Sequence, residues 1–85
     1  MFELLYAAGW DEFFSKLDTS VQQILLKKIL KLQHLITARH LKHGVPIFVV
    51  EAGQYRICFR EKQKTREILF AGSHKQYEKW YKQFE

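Results

Sequence analysis

Tyr55-Arg56-Ile57-Cys58-Phe59-Arg60, followed after a polar turn by Ile68-Leu69-Phe70-Ala71-Gly72-Ser73-His74-Lys75-Gln76-Tyr77, is the stretch from which the fold is read. In the first segment Tyr55, Ile57 and Phe59 alternate with Arg56, Cys58 and Arg60. A period of two predicts a strand with one apolar face and one partly cationic face. Lys62-Gln63-Lys64-Thr65 is the polar turn, and Ile68-Leu69-Phe70-Ala71 is the last strand, closed by Gly72. Ser73 with Gln76 matches a capping box. Tyr77, Trp80, Tyr81 and Phe84 then fall at helical spacing and predict a terminal helix.

Before this stretch, Ala52-Gly53-Gln54 reads as a hairpin turn, and Ile47-Phe48-Val49-Val50 as a strand buried on both faces. Gly44 and Pro46 separate these strands from a helical half. There, Val21, Ile24, Leu25, Ile29, Leu32 and Leu35 or Ile36 form one stripe, opened by Thr19 with Gln22 or Ser20 with Gln23 as a capping box. Leu26 and Leu30 widen that stripe beyond one core contact and offer either a buried helix or a partner surface. Trp10, Phe13, Phe14 and Leu17 predict a shorter first helix after Gly9, and Phe2, Leu4 and Tyr6 an opening strand. The expected order is β-α-α-β-β-β-α, an α+β fold. With no repeats or internal linkers, one domain over residues 1–85 accounts for the chain.

The 85 residues are 47% hydrophobic, 27% charged and 15% aromatic, a globular composition. No apolar run approaches a membrane span. The apolar start, Met1-Phe2-Glu3-Leu4-Leu5, lacks the basic region of a signal peptide. The expected location is therefore the cytoplasm, with no membrane partner. Cys58 is the only cysteine, which excludes an internal disulfide and a cysteine-rich zinc site. The formal charge is +5: residues 1–38 hold four basic and four acidic side chains, residues 39–85 ten basic and five acidic. The excess in the second half suits phosphate backbones or an acidic partner, or simply a solvated surface.

His34, His40 and His43 have no nearby carboxylate or thiol to complete a metal site, so neither metal nor cofactor is expected. His40 and His43 read as loop residues in a basic stretch. No Gly-rich phosphate loop, HExxH or GxSxG occurs. Cys58 reads as a small buried hydrophobe. Arg56 and Arg60 share a strand face about 13 Å apart at roughly 3.3 Å per residue, a pair that alone is more often structural than functional. Gly72-Ser73-His74-Lys75 adds an imidazole and an ammonium at a helix start, directly after the strand expected beside Arg56. Such a group suits a phosphodiester. RNA carries its own nucleophile, the 2′-OH, so cleavage needs alignment, an acid, a base and positive charge on the phosphorane. His74 is the candidate acid or base, Arg56 the phosphate holder and Lys75 an added charge. Tyr77 or Tyr81 would stack on a base or orient the attacking oxygen, against the plainer reading of the aromatic stripe as packing.

Three segments resemble the RelE/ParE superfamily, the toxins of type II toxin–antitoxin pairs. They are Leu41-Lys42-His43-Gly44, Gly53-Gln54-Tyr55-Arg56-Ile57, and Ile68 through Tyr77. The resemblance, closest to the RelE-like members, spans nearly the whole chain. It implies an N-terminal helical hairpin packed on a small, mostly antiparallel sheet with a short C-terminal helix. It also implies an mRNA endoribonuclease acting in the ribosomal A site and inhibiting translation, or a toxin of DNA gyrase. Either would be neutralised by a cognate antitoxin in a hetero-oligomer. By position, Arg56 matches the arginine on the scissile phosphate, His74 a second catalytic residue, and Tyr77 or Tyr81 the C-terminal tyrosine. Where RelE-type nucleases carry basic residues on the first strand of the sheet, this chain has Ile47, Phe48, Val49 and Val50. Their phosphate-binding work would pass to Lys42, Arg60, Lys62 or Lys75, or be absent. Three readings follow: a metal-independent ribosome-dependent mRNA endoribonuclease, a gyrase-inhibiting toxin without nuclease activity, and a non-catalytic basic RNA- or ribosome-binding module.

Overall fold

The computed structural model describes residues 1–34, 38–40 and 46–84. In order they form β1 (Glu3–Tyr6), a 3-10 turn (Phe14–Lys16), α1 (Thr19–Leu30), a second 3-10 turn (Lys31–Gln33) and β2 (Arg39–His40). Then come β3 (Ile47–Ala52), β4 (Tyr55–Lys62), β5 (Thr65–Ser73), α2 (His74–Tyr81) and a closing 3-10 turn (Lys82–Phe84). The fold is mixed α+β. Leu35, Ile36 and the segment Leu41-Lys42-His43-Gly44 lie outside the described residues.

The five strands run β1-β5-β4-β3-β2 across the sheet, with β1 parallel to β5 and the other pairings antiparallel. Gly53-Gln54 is a two-residue turn joining β3 to β4, with Gly53 at φ 62°, a conformation glycine adopts without penalty. The β4–β5 turn places Gln63 at φ 55°, where a side chain is strained.

Each helix covers one face of the sheet. Leu25 and Ile29 of α1, with Leu32, pack on Val50, Ile57, Phe59, Ile68 and Ala71. Leu25, Ile29 and Leu32 are fully buried, each contributing about 1.5–3 kcal/mol. On the other face Tyr77 of α2 packs on Ile47, Val49, Cys58 and Phe70. The uninterrupted apolar run of β3 follows from this, since Phe48 and Val50 turn to α1 while Ile47 and Val49 turn to α2. A β-bulge in β5 shifts the register between Cys58↔Phe70 and Phe59↔Ile68, leaving Leu69 without a partner on β4.

The expected helical hairpin does not form. Its first helix is a series of turns with the single 3-10 turn at Phe14–Lys16, held by bonds such as Glu12 N–H to the Gly9 carbonyl. The rings explain this. Phe14 enters the α1-side cluster with Trp10 beside it, whereas Phe13 packs on Phe70 across the sheet edge. Serving both clusters within so few residues leaves no single apolar stripe for a regular helix. The capping box expected at Thr19 or Ser20 is also absent. Asp18 is the N-cap, and the Gln22 amide donates instead to the carbonyls of Phe14 and Leu17. Ile24, expected in the buried stripe, is 61% exposed. His40, expected in a loop, belongs to β2 and pairs with Phe48.

Candidate functional site

Arg56 points to the α2 side of the sheet, flanked by Glu51 on β3 and Gly72 on β5. The Gly53-Gln54 turn holds it there: one guanidinium nitrogen (Nη1) donates to the carbonyls of Gly53 (3.0 Å) and Tyr55 (2.9 Å). The side chain keeps 14% of its surface exposed, and its buried Nε has no hydrogen-bond partner. Its Nη2 faces Glu51 Oε2 at 3.8 Å.

The same turn fixes the start of α2, where His74 N–H donates to the Gln54 carbonyl at 2.8 Å. Ser73 and Gln76 form the expected capping box, each side chain accepting from the other's backbone N–H. Two of the helix's first N–H groups are therefore already bonded, so side chains rather than the bare helix end present the charge. Gly72 lets this turn sit close, because a Cβ there would lie 2.6 Å from Gln76 Oε1 and 2.9 Å from Phe70.

Gly53, Gln54, Arg56, Ser73, His74 and Lys75 line a depression of about 470 Å³ that is open to solvent. His74 is half exposed, its Nε2 paired with Glu78 Oε1 at 2.9 Å and its ring stacked beside Tyr77. Lys75 is exposed. Arg56, His74 and Lys75 thus come together from two segments far apart in sequence.

The other candidates lie elsewhere. Tyr77 is buried in the α2-side cluster, and burial pushes its phenol above the usual range. Tyr81 is half-buried, its ring 5.8 Å from that of Tyr77. Arg60 forms two bonds to Glu67 Oε1 (3.2 and 2.8 Å), and with Lys62 it lines a separate depression of about 280 Å³ beside Leu5. Lys42 lies outside the described residues. Cys58 is fully buried between strands, and burial raises its thiol far above the usual range. Among the described residues no three histidine, cysteine or carboxylate side chains gather closely enough to hold a metal ion. No described helix is long and apolar enough to cross a membrane.

Two residues beside the depression escaped the sequence reading. Glu51 accepts two hydrogen bonds from Arg39 (3.1 and 3.0 Å) as well as facing Arg56. Arg39's bonds, then Arg56's charge, hold its carboxyl below the usual range. Taking the hairpin turn as two residues would have placed Glu51 opposite Arg56, an opposite-charge cross-strand pair. Arg39 gave no signal, because two residues are too few to show a period.

The site thus sits on a mixed sheet with a parallel β1 edge, three antiparallel pairings and a helix on each face. Among solved structures this fold is similar to that of a chain of the RelBE2 toxin–antitoxin complex of Mycobacterium tuberculosis, with a TM-score of 0.72 over 85% of this chain and 96% of that one. The two share 17% sequence identity, so the likeness is one of fold. No protein-family model and no curated protein matches the sequence.

Proposed function

We propose that this chain is the toxin of a type II toxin–antitoxin pair and that it cuts mRNA on the ribosome without a metal. The observation that carries this reading is the convergence of Arg56, His74 and Lys75 on one open depression. The fold shared with a chain of a toxin–antitoxin complex supports a cognate antitoxin as partner.

In the proposed reaction the 2′-OH attacks the adjacent phosphorus as the P–O5′ bond breaks, giving a 2′,3′-cyclic phosphate and a free 5′-OH. Arg56 Nη2 and Lys75 carry the charge that builds on the non-bridging oxygens. His74 performs one proton transfer, with Glu78 and Tyr77 fixing its ring. Tyr81, the more accessible tyrosine, is the candidate for the second transfer or for stacking on a base.

His74→Ala is the cleaner test, because the side chain is half exposed and its loss leaves the capping box intact. It is expected to lower transcript cleavage by roughly 10²–10⁴-fold and to relieve growth arrest, with the circular dichroism unchanged. Arg56→Ala should do the same, with some loss of stability from the freed turn carbonyls. Transcripts still cut in both folded variants would end the reading.

A specific observation favours gyrase inhibition as the second reading. Ile47 and Val49, where the resemblance leads one to seek basic residues, are buried beneath α2 at 5% and 1% exposure. In that case induced cells would show DNA damage with transcripts intact.

A further inference from the structure

Two lysines from the charge-neutral half of the chain join the cationic surface. Lys28 and Lys31 lie one turn apart at the end of α1, on the same side of the helix. With Ala38, Arg39, Val49, Val50 and Glu51 they line a depression of about 430 Å³ beside the β2 edge. Glu51 links this lining to Arg56, since Arg39 bonds its Oε1 and Arg56 faces its Oε2. The linings of the two depressions carry five permanent cations, Lys28, Lys31, Arg39, Arg56 and Lys75, against the single carboxylate Glu51.

We propose that the depression between the end of α1 and the β2 edge is a second phosphate site, holding the backbone of a single-stranded RNA whose neighbouring phosphates lie at Arg56, His74 and Lys75. The inference rests on the reading of the Arg56 depression given above and adds a site that reading does not need. Arg39 and Arg56 lie two strand spacings apart, roughly 10 Å, which a single-stranded backbone crosses within a few nucleotides. The chemistry of the wall favours a nucleic-acid backbone over a protein segment. Its apolar side chains, Ala38, Val49 and Val50, are small, and the valines are almost wholly buried, so among the described residues no large ring or branched side chain is offered to a protein partner. What the wall offers is ammonium and guanidinium charge, suited to phosphate oxygens without fixed geometry.

The test is fluorescence anisotropy of the whole protein with a 2′-O-methyl octanucleotide, which lacks the nucleophile, over a range of salt. The Lys28→Gln/Lys31→Gln double variant keeps helix propensity and side-chain length. Its slope of log affinity against log salt is expected to fall in magnitude by about 1.4, two phosphates at roughly 0.7 each. Lys28→Arg/Lys31→Arg should retain the slope, and Lys75→Gln should lower it independently. An unchanged slope in the double glutamine variant, with Lys75→Gln still weakening binding, overturns the second site and leaves the Arg56 site standing. Loss in the double variant with Lys75→Gln silent overturns the shared strand and the Arg56 reading together. A polyglutamate peptide that displaces the RNA at equal charge concentration, and loses the same slope in the double variant, overturns the assignment to RNA.

Discussion

Arg66 is 4% exposed in β5, its guanidinium between the rings of Phe2 at 3.9 Å and Phe59 at 4.9 Å. It donates to the carbonyls of Leu32 and His34 and to Glu61, so one side chain ties the end of the α1 segment to the sheet. Arg66→Ala strands those two carbonyls and removes the stacking, a loss of roughly 2–4 kcal/mol measurable by urea denaturation. Arg66→Lys should recover little, because an ammonium has no planar fork to fill the slot. In the sequence Arg66 is one more cation of a basic half. Its burial depends on carbonyls more than thirty residues away, which no local pattern reveals. Glu51 makes the site sensitive to pH. Its lowered carboxyl keeps its pairing with Arg39 and Arg56 above the ordinary carboxylate range and loses it as pH falls through the lowered value. Sulfate affinity, followed by NMR, should therefore rise several-fold as Glu51 takes up its proton and releases both arginines. Arg39, Arg56 and His74 all act on this carboxyl, and Glu51→Gln separates its part from theirs. That variant should bind tightly at neutral pH and show no such rise.

Among the elements, α2 was legible because its start is written locally: Ser73 and Gln76 meet in a capping box whatever surrounds them. β3 and β4 were legible because their apolar residues match the faces they cover. The adjacency of Arg56 and His74 follows from the same reading, since β5 pairs with β4 and runs straight into α2. The first helix failed because helical spacing says which residues share a side but not that Phe13 and Phe14 answer to different clusters. The bulge at Leu69 was equally invisible, because alternation along one strand does not report its register with the next. Gly72, read as the end of a strand, is instead inside β5, where its missing side chain admits the α2 cap. Gly72→Ala should drive Gln76 from its bond and press on Phe70, costing roughly 1–3 kcal/mol. Hydrogen exchange should report that loss first at the Ser73 and His74 amides, and unchanged protection there would refute the packing role.

For the molecule as a whole, the surplus apolar width of α1 faces outward: Ile24 is 61%, Leu26 39% and Leu30 55% exposed. Lys27 lies among them, so under the proposed toxin reading an acidic amphipathic antitoxin segment is the complement of this face. Ile24→Glu/Leu30→Glu should leave the thermal midpoint within a few degrees, since neither side chain is in the core. It should also abolish rescue by a co-expressed antitoxin, and rescue undiminished would place the partner elsewhere.

The parallel edge of the sheet also governs when the protein exists. Glu3 meets Thr65 and Tyr6 meets Ile68, so among the described strands β1 is seated only against β5, made some sixty residues later. A chain stopped before β5 holds an orphan edge and an open core, and it lacks the Ser73, His74 and Lys75 side of the Arg56 depression. The sheet edge and the Arg56 depression are therefore completed together, in one step, when β5 and α2 are in place.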